Sequence, residues 1–445
     1  MTQETQYPAY QATGVEWLPR LPEHWRMIKL RHTSKSTGGG TPDRSNLTYW
    51  GGDIPWVTPK DMKSQVIESS EEAITARGLA ASPTNLIDPG AVLLVFRSGI
   101  LKHTIPVAIN SRPVVVNQDI RAYTFTDDLL PEFFLRYVQG LNSTLLGFWC
   151  KQGSTVESIE GELIESSRLP IPPRQEQERI VRYLEAETAR IDALIEKKTR
   201  FIELLKEKRQ ALITQAVTKG LAPNVPMKDS GVEWIGEVPE HWSPSKIRFV
   251  ARERGGKTPS KDNLRYWHGD VPWVSPKDMK ADVVTGSIDR ITTEAVRECG
   301  MSLLSAGTIL VVVRGMILAH SFPVAETATP VTINQDMKAL TPASGVSATF
   351  FRLLLQSVKQ VVVDVLVAEA AHGTRVLRTD IWKQLPIFLP PLSEQLQIVE
   401  RIAAETAKLD SLIAVSERSI ALLKERRSAL ITAAVTGQID LRESA

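Results

Sequence analysis

Two stretches of the chain carry a helical pattern of apolar residues that is far longer than an ordinary helix requires. Each follows a pair of prolines and runs for about 45 residues without proline or glycine; they cover residues 174–218 and 392–436 and repeat one another at an offset of 218. Runs this rich in Ala, Leu, Glu, Lys and Arg favour helix. At about 1.5 Å per residue each helix would be roughly 65 Å long. We therefore predict two strut-like helices.

The apolar positions of these helices predict what they pack against. They recur at three- and four-residue steps, and several follow a seven-residue repeat that resembles a coiled-coil seam. Lys198 and Ser416 interrupt the repeat at the same relative place. We expect the two helices to pair with each other, although ordinary packing within the chain is the plainer interpretation, and the width of the apolar face leaves one side for a further partner. The residues predicted to pack are Ile191, Leu194, Leu205, Leu212, Leu409, Leu412, Leu423 and Leu430.

The remainder of the chain is duplicated as well. Gly-Val-Glu-Trp and Pro-Glu-His-Trp, near the start of the chain, return 217 residues later, and eight of the ten tryptophans fall in four matched pairs. The motif Gly-Asp-Ile-Pro-Trp-Val-Thr-Pro-Lys-Asp-Met (52–62) returns at the same offset with Val for Ile and Ser for Thr, and the tripeptide Asn-Gln-Asp (117–119) returns unchanged. The predicted order is a globular region (1–168), a long helix (169–218), a linker (219–230), a second globular region (231–385), and a second long helix with a tail (386–445).

Within each globular region the pattern is mixed. Short β-rich runs punctuated by Gly, Pro, Asn and Asp predict strands; they cover residues 91–97 and 113–116 in the first copy and 308–314 and 329–333 in the second. A helix is predicted over 131–146, with its counterpart over 348–367. We therefore predict an α+β fold with a curved sheet in each globular region, the two being joined by two long antiparallel coiled-coil-like helices.

The two copies diverge only in particular segments. Residues 63–90 and 120–168 differ from 280–307 and 337–383, while the motifs around them are kept. A common frame with variable segments is expected if the two regions do the same kind of work on different targets. Drift of an unselected surface after duplication would leave the same pattern.

Composition narrows the class of protein. The chain has 445 residues, enough for about three domains, and its 42% apolar and 23% charged residues are typical of soluble globular proteins. The N-terminus lacks an apolar run and no apolar stretch is long enough to cross a bilayer, so we expect neither a secretory signal nor a membrane span. Cys150 and Cys299 are not at matched positions, which predicts no disulfide framework and a cytoplasmic location.

Charge permits nucleic-acid binding without demanding it. The net charge is +2; residues 26–168 contain 15 Lys and Arg against 15 Asp and Glu, and residues 243–383 contain 18 against 13. The second globular region is therefore at +5 and the first at zero. Any nucleic-acid surface must be a local patch, at least in the first half.

No motif predicts a catalytic site. Arg254-Gly-Gly-Lys-Thr258 resembles part of a phosphate-binding loop, but Ala251 stands where the first glycine is needed and Pro259 follows where a helix should begin. His103 and His320 have serines and aspartates nearby, yet the serines do not correspond between the copies, which argues against a duplicated triad. The histidines show no metal-ligand spacing. We expect no catalytic residue and no metal site.

Basic residues next to the repeated motifs are the candidates for contact with DNA. Lysine and arginine contacts to phosphate provide register and salt-sensitive affinity, whereas base edges provide discrimination. For any one of these residues a solvated surface position is the plainer interpretation, and the tryptophans are more often core than base-stacking platforms. The candidate DNA-binding residues are Lys60, Lys63, Arg97, Lys102, His103, Lys257, Lys277, Lys280, Arg314 and His320.

The repeated motifs together resemble the DNA-specificity subunit of type I restriction–modification systems. The resemblance covers nearly the whole chain, twice. It implies that each globular region is a target-recognition domain for one half of a bipartite double-stranded DNA site. It also implies that the two helices form an antiparallel spacer that docks two methyltransferase subunits, with restriction/translocase subunits joining the assembly. Methylation with SAM and cleavage driven by ATP, with Mg, would then belong to those partners, leaving this chain without a cofactor.

Two other classes of function stay open at this point. A protein-interaction scaffold with duplicated modules would show no salt-dependent binding to any duplex. A free-standing enzyme would need a catalytic site that the sequence does not reveal. A DNA-binding chain would lose affinity steeply as salt rises.

Overall fold

The structure is a computed structural model that describes residues 6–150, 157–222, 224–370 and 373–442. Parts of the predicted first globular region, linker, second globular region and tail therefore lie outside the described residues. The chain forms two compact units: Met1–Thr199 with Glu417–Ala445, and Arg200–Ser416. Each unit thus takes a globular region and one half of each long helix, whereas the predicted boundaries kept each helix whole.

The first unit is built from twelve strands and four short helices within the described residues, followed by the first long helix. The strands are β1 (Tyr10–Val15), β2 (Leu18–Pro22), β3 (Arg26–Lys29), β4 (Ser34–Gly38), β5 (Trp50–Val57), β6 (Val66–Ile67), β7 (Glu72–Ile74), β8 (Val92–Val95), β9 (Val107–Asn110), β10 (Val115–Val116), β11 (Ile120–Phe125) and β12 (Arg168–Ile171). The helices are α1 (Ala76–Ala80), α2 (Pro131–Gly140), α3 (Asn142–Trp149), α4 (Gly161–Ser166) and the long α5 (Arg174–Lys219).

A five-stranded sheet in the order β4-β11-β8-β9-β6 forms the centre of the first unit, and a three-stranded sheet β10-β5-β7 lies beside it. The central strand β8 reads Val-Leu-Leu-Val and is buried at all four positions, as a strand covered on both faces requires. Its alternate side chains join different apolar clusters: Val92 and Leu94 pack with α2, whereas Leu93 and Val95 pack with β10. The sheet is therefore the wall between two cores.

The second unit repeats this arrangement. Its strands are β13 (Met227–Asp229), β14 (Glu237–Pro239), β15 (Ser243–Lys246), β16 (Ala251–Gly255), β17 (Trp267–Val274), β18 (Val283–Val284), β19 (Arg290–Ile291), β20 (Ile309–Val312), β21 (Val324–Thr327), β22 (Thr332–Ile333), β23 (Met337–Pro342), β24 (Val367–Glu369), β25 (Arg375–Leu377) and β26 (Pro386–Leu389). Its short α-helices are α6 (Ile247–Val250), α7 (Thr293–Glu298), α8 (Ala348–Ser357), α9 (Lys359–Val361) and α10 (Thr379–Trp382), and they are followed by the second long helix, α11 (Leu392–Val435), whose residues from Glu417 onward belong to the first unit.

The strand order and register of the second unit match those of the first. Its sheets run β16-β23-β20-β21-β18 and β19-β17-β22. Ile120 pairs with Val95 in the first unit, and Met337 pairs with Val312 in the second, each shifted by the sequence offset of 217. The predicted α+β fold and its duplication are confirmed. Within the predicted 219–230 linker, Met227–Asp229 form β13, which pairs with β14 as β1 pairs with β2.

The two predicted mid-domain helices are interrupted. The first ends at Gly140 and resumes at Asn142, and the second ends at Ser357 and continues as a short helix and a π-helical turn, Val362–Leu366. Gly140 packs against α11, where an added Cβ would lie 3.0 Å from the backbone nitrogen of Thr432. The hydroxyl of Thr432 donates to the Gly140 carbonyl at 2.6 Å. Close backbone approach thus explains why glycine stands at this position.

The long helices pair in antiparallel fashion within each unit. In the first unit Arg427 Nε lies 2.9 Å from Asp192 Oδ1, and in the second Arg209 Nε lies 3.0 Å from Asp410 Oδ1. These two ion pairs are the same pair in the duplicated sequence, at the offset of 218. The predicted antiparallel pairing is therefore confirmed. No helix among the described residues is both long and apolar enough to cross a membrane.

Most of the predicted packing residues of the long helices face inward. Ile191, Leu205, Leu409 and Leu430 are buried, and Leu212 and Leu423 are half-buried. The prediction for Leu194 and Leu412 is wrong, because each is 46% exposed. The next inward-facing position after Ile191 and Leu409 is four residues further on, at the half-buried Ile195 and Ile413. Leu194 and Leu412, only three residues further on, therefore point outward.

The repeated Pro-Glu-His-Trp motif joins each globular region to its long helix. The Glu176 carboxylate, in the first turn of α5, accepts hydrogen bonds from the Trp25 indole at 3.1 Å and from the Tyr7 hydroxyl, and lies 2.8 Å from the His24 ring. The adjacent Gln177 side chain donates to the Pro172 carbonyl at 2.9 Å. The Glu-Gln pair that opens each helix therefore anchors it to the rest of the unit.

The second unit repeats this junction with fewer partners. Glu394 accepts from the Trp242 indole at 3.1 Å and lies 2.7 Å from the His241 ring, and the adjacent Gln395 donates to the Pro390 carbonyl at 2.9 Å. No counterpart of Tyr7 contacts Glu394 within the described ranges.

Candidate nucleic-acid interface

Loops that carry the repeated motifs meet at one open groove in the first unit. The lining comes from the segment after β4, the loop after β5, the end of β8 and the Asn-Gln-Asp turn before β11. Its lining includes Arg44, Lys60, Asp61, Glu72, Arg97 and Gln118. Motifs scattered over about 80 residues of sequence therefore form one surface.

The Asn-Gln-Asp turn ties these loops together. The Asn117 side-chain oxygen accepts from the Asp119 backbone N–H at 3.1 Å, and its amide donates to the Asp119 carboxylate at 3.0 Å. The Asp119 carbonyl accepts from the N–H of Arg97 at 3.2 Å, and Gln118 accepts from the Thr41 hydroxyl at 2.6 Å. This turn thereby sets where the Arg97 backbone lies.

The second unit keeps every one of these bonds. The Asn334 side-chain oxygen accepts from the Asp336 backbone N–H, and its amide donates to the Asp336 carboxylate, both at 3.1 Å. The Asp336 carbonyl accepts from the Arg314 N–H at 3.2 Å. Gln335 accepts from the Thr258 hydroxyl. The repeated residues are therefore a scaffold that places an arginine at the same point in both units.

The aspartates of the repeated loop are structural as well. The Asp61 carboxylate accepts from the Thr58 backbone N–H and hydroxyl, both at 2.8 Å, and from the Glu71 N–H at 2.8 Å. Asp278 makes the corresponding three bonds to Ser275 and Ile288, at 2.8–2.9 Å. Three donors on one carboxylate fix the loop. Within the described ranges no three His, Cys, Asp or Glu side chains are grouped as metal ligands.

Gly256, in the stretch that resembled a phosphate loop, and its counterpart Gly39 have a packing role. A Cβ added at Gly256 would lie 1.9 Å from the Asn334 carbonyl oxygen, and one added at Gly39 would lie 1.8 Å from that of Val116. Only glycine allows the chain to pass so close to the turn. No helix follows Gly256, since Lys257 leads into an irregular segment. The Trp56 and Trp273 indoles are buried there and donate to backbone carbonyls at 2.9 Å.

The structure brings two of the predicted DNA-binding residues of the first unit together. Lys60 and Arg97 both line the groove, both are exposed, and neither makes an ion pair with any described residue. Lys63 and His103 line a separate depression, and Lys63 also lines a further one beside Lys60, where it lies 3.7 Å from the Glu71 carboxylate. Lys102 is exposed at the end of a short 3₁₀ helix, and lines none of these depressions.

In the second unit the matched residues are held differently. Arg314 is exposed and makes no ion pair among the described residues, like Arg97. Lys277, the counterpart of Lys60, lies 2.6 Å from the Asp289 carboxylate. Lys257 donates to the Cys299 carbonyl at 3.0 Å. Lys280 and His320 are exposed.

Sequence reasoning missed two positions that shape this surface. Arg44 and its counterpart Lys261 stand on the loop after the first strand of the sheet, and Glu72 and its counterpart Asp289 stand where the divergent segment crosses the groove. Both pairs keep the sign of their charge through the duplication, and that shared sign was the available signal. A duplicated scaffold that presents arginine and lysine at matched loops is typical of a modular nucleic-acid-binding protein.

Comparison with known proteins identifies the family. Residues 22–204 and 239–421 match the family described as Type I restriction modification DNA specificity domain. The chain therefore belongs to this family, and the predicted resemblance is confirmed.

Individual relatives are similar over different lengths. The specificity subunit of the type I restriction enzyme EcoR124I/EcoR124II from Escherichia coli is 34% identical over 39% of this chain and 44% of its own length. The MjaIX specificity subunit from Methanocaldococcus jannaschii is 25% identical over 65% and 66% of the two lengths. The chain thus spans less than two thirds of these two relatives. The MjaVIII specificity subunit of the same organism is 21% identical over 95% of both chains.

Solved structures share the fold. One, described in work on complex assembly and conformational transition of the type I R-M system, has a TM-score of 0.71 at 16% identity and covers 93% of this chain and 98% of its own. The HsdS subunit from Thermoanaerobacter tengcongensis has a TM-score of 0.50 at 16% identity and covers 94% and 98%. At this identity the likeness concerns the fold.

Proposed function

We propose that this chain is a non-catalytic subunit that reads a bipartite double-stranded DNA target, one part through each unit. The observation that carries the proposal is the pair of groove cations that make no ion pair with any residue the structure describes, Lys60 and Arg97, and the repetition of the arginine as Arg314 on the same scaffold. An exposed arginine or lysine without a carboxylate partner is available to phosphate. Such contacts supply affinity and register.

Discrimination between sequences then falls to the segments that differ between the units. The divergent segment 63–90 reaches the groove beside Lys60 at Glu71, whose counterpart in the second unit is Ile288. Base edges are read by the side chains that enter a DNA groove, so divergent residues beside shared phosphate contacts give each unit its own target. The shared frame positions the duplex, and the variable segments select it.

The paired helices are proposed to set the distance between the two half-targets. The ion pairs Asp192–Arg427 and Arg209–Asp410 stand at matched places on α5 and α11. Lengthening both helices by seven residues, midway between these pairs, would preserve the heptad pattern and add about 10 Å. The insertion points are after Arg200 and after Arg418.

The insertion experiment is read out through methylated positions. The expected result is a target spacer longer by about three base pairs, at about 3.4 Å per pair, with both half-sequences unchanged. Methylated positions would be mapped by single-molecule sequencing in a host that carries the partner methyltransferase. An unchanged spacer, with methylation retained, would contradict the role of the helices as a ruler.

Partner docking is assigned to the outer face of the long helices. In the first unit Leu194 and Leu422 are 46% and 59% exposed, and in the second unit Leu412 and Leu204 are both 46% exposed. These are two matched pairs at the offset of 218. We assign this face to two methyltransferase subunits, and assign SAM-dependent methylation and cleavage with ATP and Mg to methyltransferase and restriction/translocase partners in the cytoplasm.

The docking proposal predicts the effect of charged substitutions on that face. Leu204→Asp with Leu422→Asp would release the methyltransferase from the copurified complex, because a buried unpaired carboxylate is costly. Substitution of the neighbouring exposed residues Lys206 and Lys424 by Asp is the matched control for a change of charge on the same helices. Retention of the partner by the leucine variants would contradict docking at this face.

The DNA-binding proposal is tested by salt titration of the complex with its methyltransferase on a duplex. Affinity is expected to fall linearly with salt on logarithmic axes, and Arg97→Ala and Arg314→Ala are each expected to reduce the slope by about 0.9. Absence of salt-dependent binding would favour the alternative of a protein-interaction scaffold.

A further inference from the structure

One acidic position is kept in both units but pairs with a different cation in each. Glu72 in the first unit and Asp289 in the second are matched at the offset of 217. The structural match is close, because the preceding residues, Glu71 and Ile288, both donate their N–H to the loop aspartate at 2.8 Å. The two carboxylates therefore stand at the same place on the same scaffold.

In the first unit the Glu72 carboxylate pairs with Arg44. The guanidinium nitrogens of Arg44 lie 2.7 and 2.9 Å from the two oxygens of Glu72, a bidentate pair. The guanidinium also stacks over the Trp50 and Trp56 rings, at 4.6 and 5.0 Å from their centroids. Hydrogen bonding from Arg44 lowers the pKa of Glu72. With Glu72 occupied, Lys60 makes no ion pair within the described residues.

In the second unit the Asp289 carboxylate pairs instead with Lys277, the counterpart of Lys60. Lys277 Nζ lies 2.6 Å from Asp289 Oδ2, and this hydrogen bond raises the pKa of the lysine. Lys261 stands where the first unit has Arg44; it is exposed and makes no ion pair within the described residues. The free cation and the paired cation have exchanged places.

The chemistry of the side chains explains the exchange. Arginine presents a planar fork that matches a carboxylate at two points and stacks on aromatic rings, so Arg44 engages both Glu72 and the tryptophans. Lysine is a single-point, strongly hydrated cation that offers neither. With lysine at both positions of the second unit, the nearer one takes the aspartate.

We propose that the acidic residue at this position decides which of two cations each unit offers to the DNA backbone: Lys60 in the first unit and Lys261 in the second. Glu72 and Asp289 are thus positioning residues that set the phosphate register of each half-target. The inference rests on the proposed DNA-binding function. It goes beyond that function because it predicts that the matched lysines Lys60 and Lys277 contribute unequally to DNA affinity.

Salt titration of lysine variants tests the inequality. The complex with its methyltransferase would be titrated on a 40-base-pair duplex of mixed sequence, and the slope of log affinity against log salt compared between variants. Each phosphate contact contributes about 0.9 to that slope. Lys60→Ala and Lys261→Ala are each expected to reduce it by about 0.9. Lys277→Ala is expected to leave it unchanged, although it removes the same charge at the matched position.

A second variant shows whether Asp289 is the cause. Asp289→Asn releases Lys277, so the slope is expected to rise by about 0.9, and Lys277→Ala in that background is expected to reverse the rise. In the first unit Arg44→Ala frees Glu72 to capture Lys60. It is therefore expected to lower the slope, as Lys60→Ala does, and the double variant is expected to fall no further.

The outcomes separate this inference from the proposed function. A salt-independent wild type would overturn both. Salt-dependent binding in which Lys60→Ala and Lys277→Ala have equal effects, or in which Lys277→Ala is as silent with Asn at 289 as with Asp, would overturn the inference and leave DNA binding standing. Circular dichroism of each variant distinguishes a lost contact from a lost fold.

Discussion

The two units share one backbone plan but differ in what they bury. Tyr123 and Tyr137 are fully buried in the first unit, and the matched positions of the second unit hold Leu340 and Leu354, which are buried as well. The Tyr137 hydroxyl has no hydrogen-bond partner among the described residues, and burial raises its pKa. Duplication has therefore kept the shape of the core and changed its polarity.

The junctions with the long helices differ in the same direction. The Glu176 side chain is 6% exposed and has three partners, one of them Tyr7, whereas Glu394 is 27% exposed and has two. Burial and the Glu176 carboxylate raise the pKa of Tyr7. The first unit thus depends more on buried polar groups. Such groups stabilise when they are fully paired and destabilise when one partner is removed.

The largest difference between the units is expected at these junctions. Glu176→Ala leaves the buried Tyr7 hydroxyl and the buried Trp25 indole without their acceptor, removes the contact with the exposed His24 ring, and should lower the free energy of unfolding by about 3–5 kcal/mol. Glu394→Ala should cost about 1–3 kcal/mol, because its site is more exposed and lacks the tyrosine. Urea unfolding followed by tryptophan fluorescence measures both. Equal costs for the two variants would contradict the stated difference between the two junctions.

Matched substitutions in the long helices serve as a control, because they should have the same effect on stability in both units. Ile191→Ala and Leu409→Ala, at matched buried positions, should each cost about 2–3 kcal/mol. Leu194→Ala and Leu412→Ala, three residues further on, should each stay within about 0.5 kcal/mol because these side chains are exposed. The urea midpoints of the free chain report all four. A cost at Leu412 close to that at Leu409 would contradict the orientation of the helix.

Alkaline pH should act on the first unit in particular. Because the folded-state pKa values of Tyr7 and Tyr137 are raised, the folded chain holds these protons more tightly than the unfolded chain does, and the full stability at neutral pH persists up to the ordinary tyrosine pKa of 10.0. That stability is lost as pH rises from there toward the raised values, at up to about 1.4 kcal/mol per pH unit for each group. Urea midpoints between pH 9 and 11 should fall, and Tyr137→Phe should make the fall shallower.

The smallest effect is expected from the Tyr137 hydroxyl at neutral pH. Tyr137→Phe removes a buried hydroxyl without a partner while keeping the ring, and should raise the free energy of unfolding by about 1 kcal/mol. Leu354→Phe, at the matched position, adds volume to a packed core and should destabilise. Thermal unfolding of the two variants gives the signs. A destabilised Tyr137→Phe would mean that the hydroxyl contributes a favourable interaction.

Local patterns account for what could be predicted. The two long helices followed from composition and spacing, and the duplicated α+β units followed from motifs that return at a constant offset. Lys60 and Arg97 could be proposed for one surface because both are basic residues that return at matched positions in the second copy. Leu194 was misplaced because a three-residue and a four-residue step are equally apolar in the sequence, and only the partner helix distinguishes them.

The sequence by itself determined the duplication, the extent of the long helices and the loops that carry the cations, since these depend on neighbouring residues and on comparison of one half with the other. Only the tertiary structure decided which cation is free. Arg44 and Glu72 are 28 residues apart, and Lys277 and Asp289 are 12 apart. Choosing between Lys60 and Arg44, or between Lys277 and Lys261, depends on distances of a few ångströms across a folded surface. An ion pair between residues distant in the sequence forms only when the fold brings the two charged groups within a few ångströms of each other.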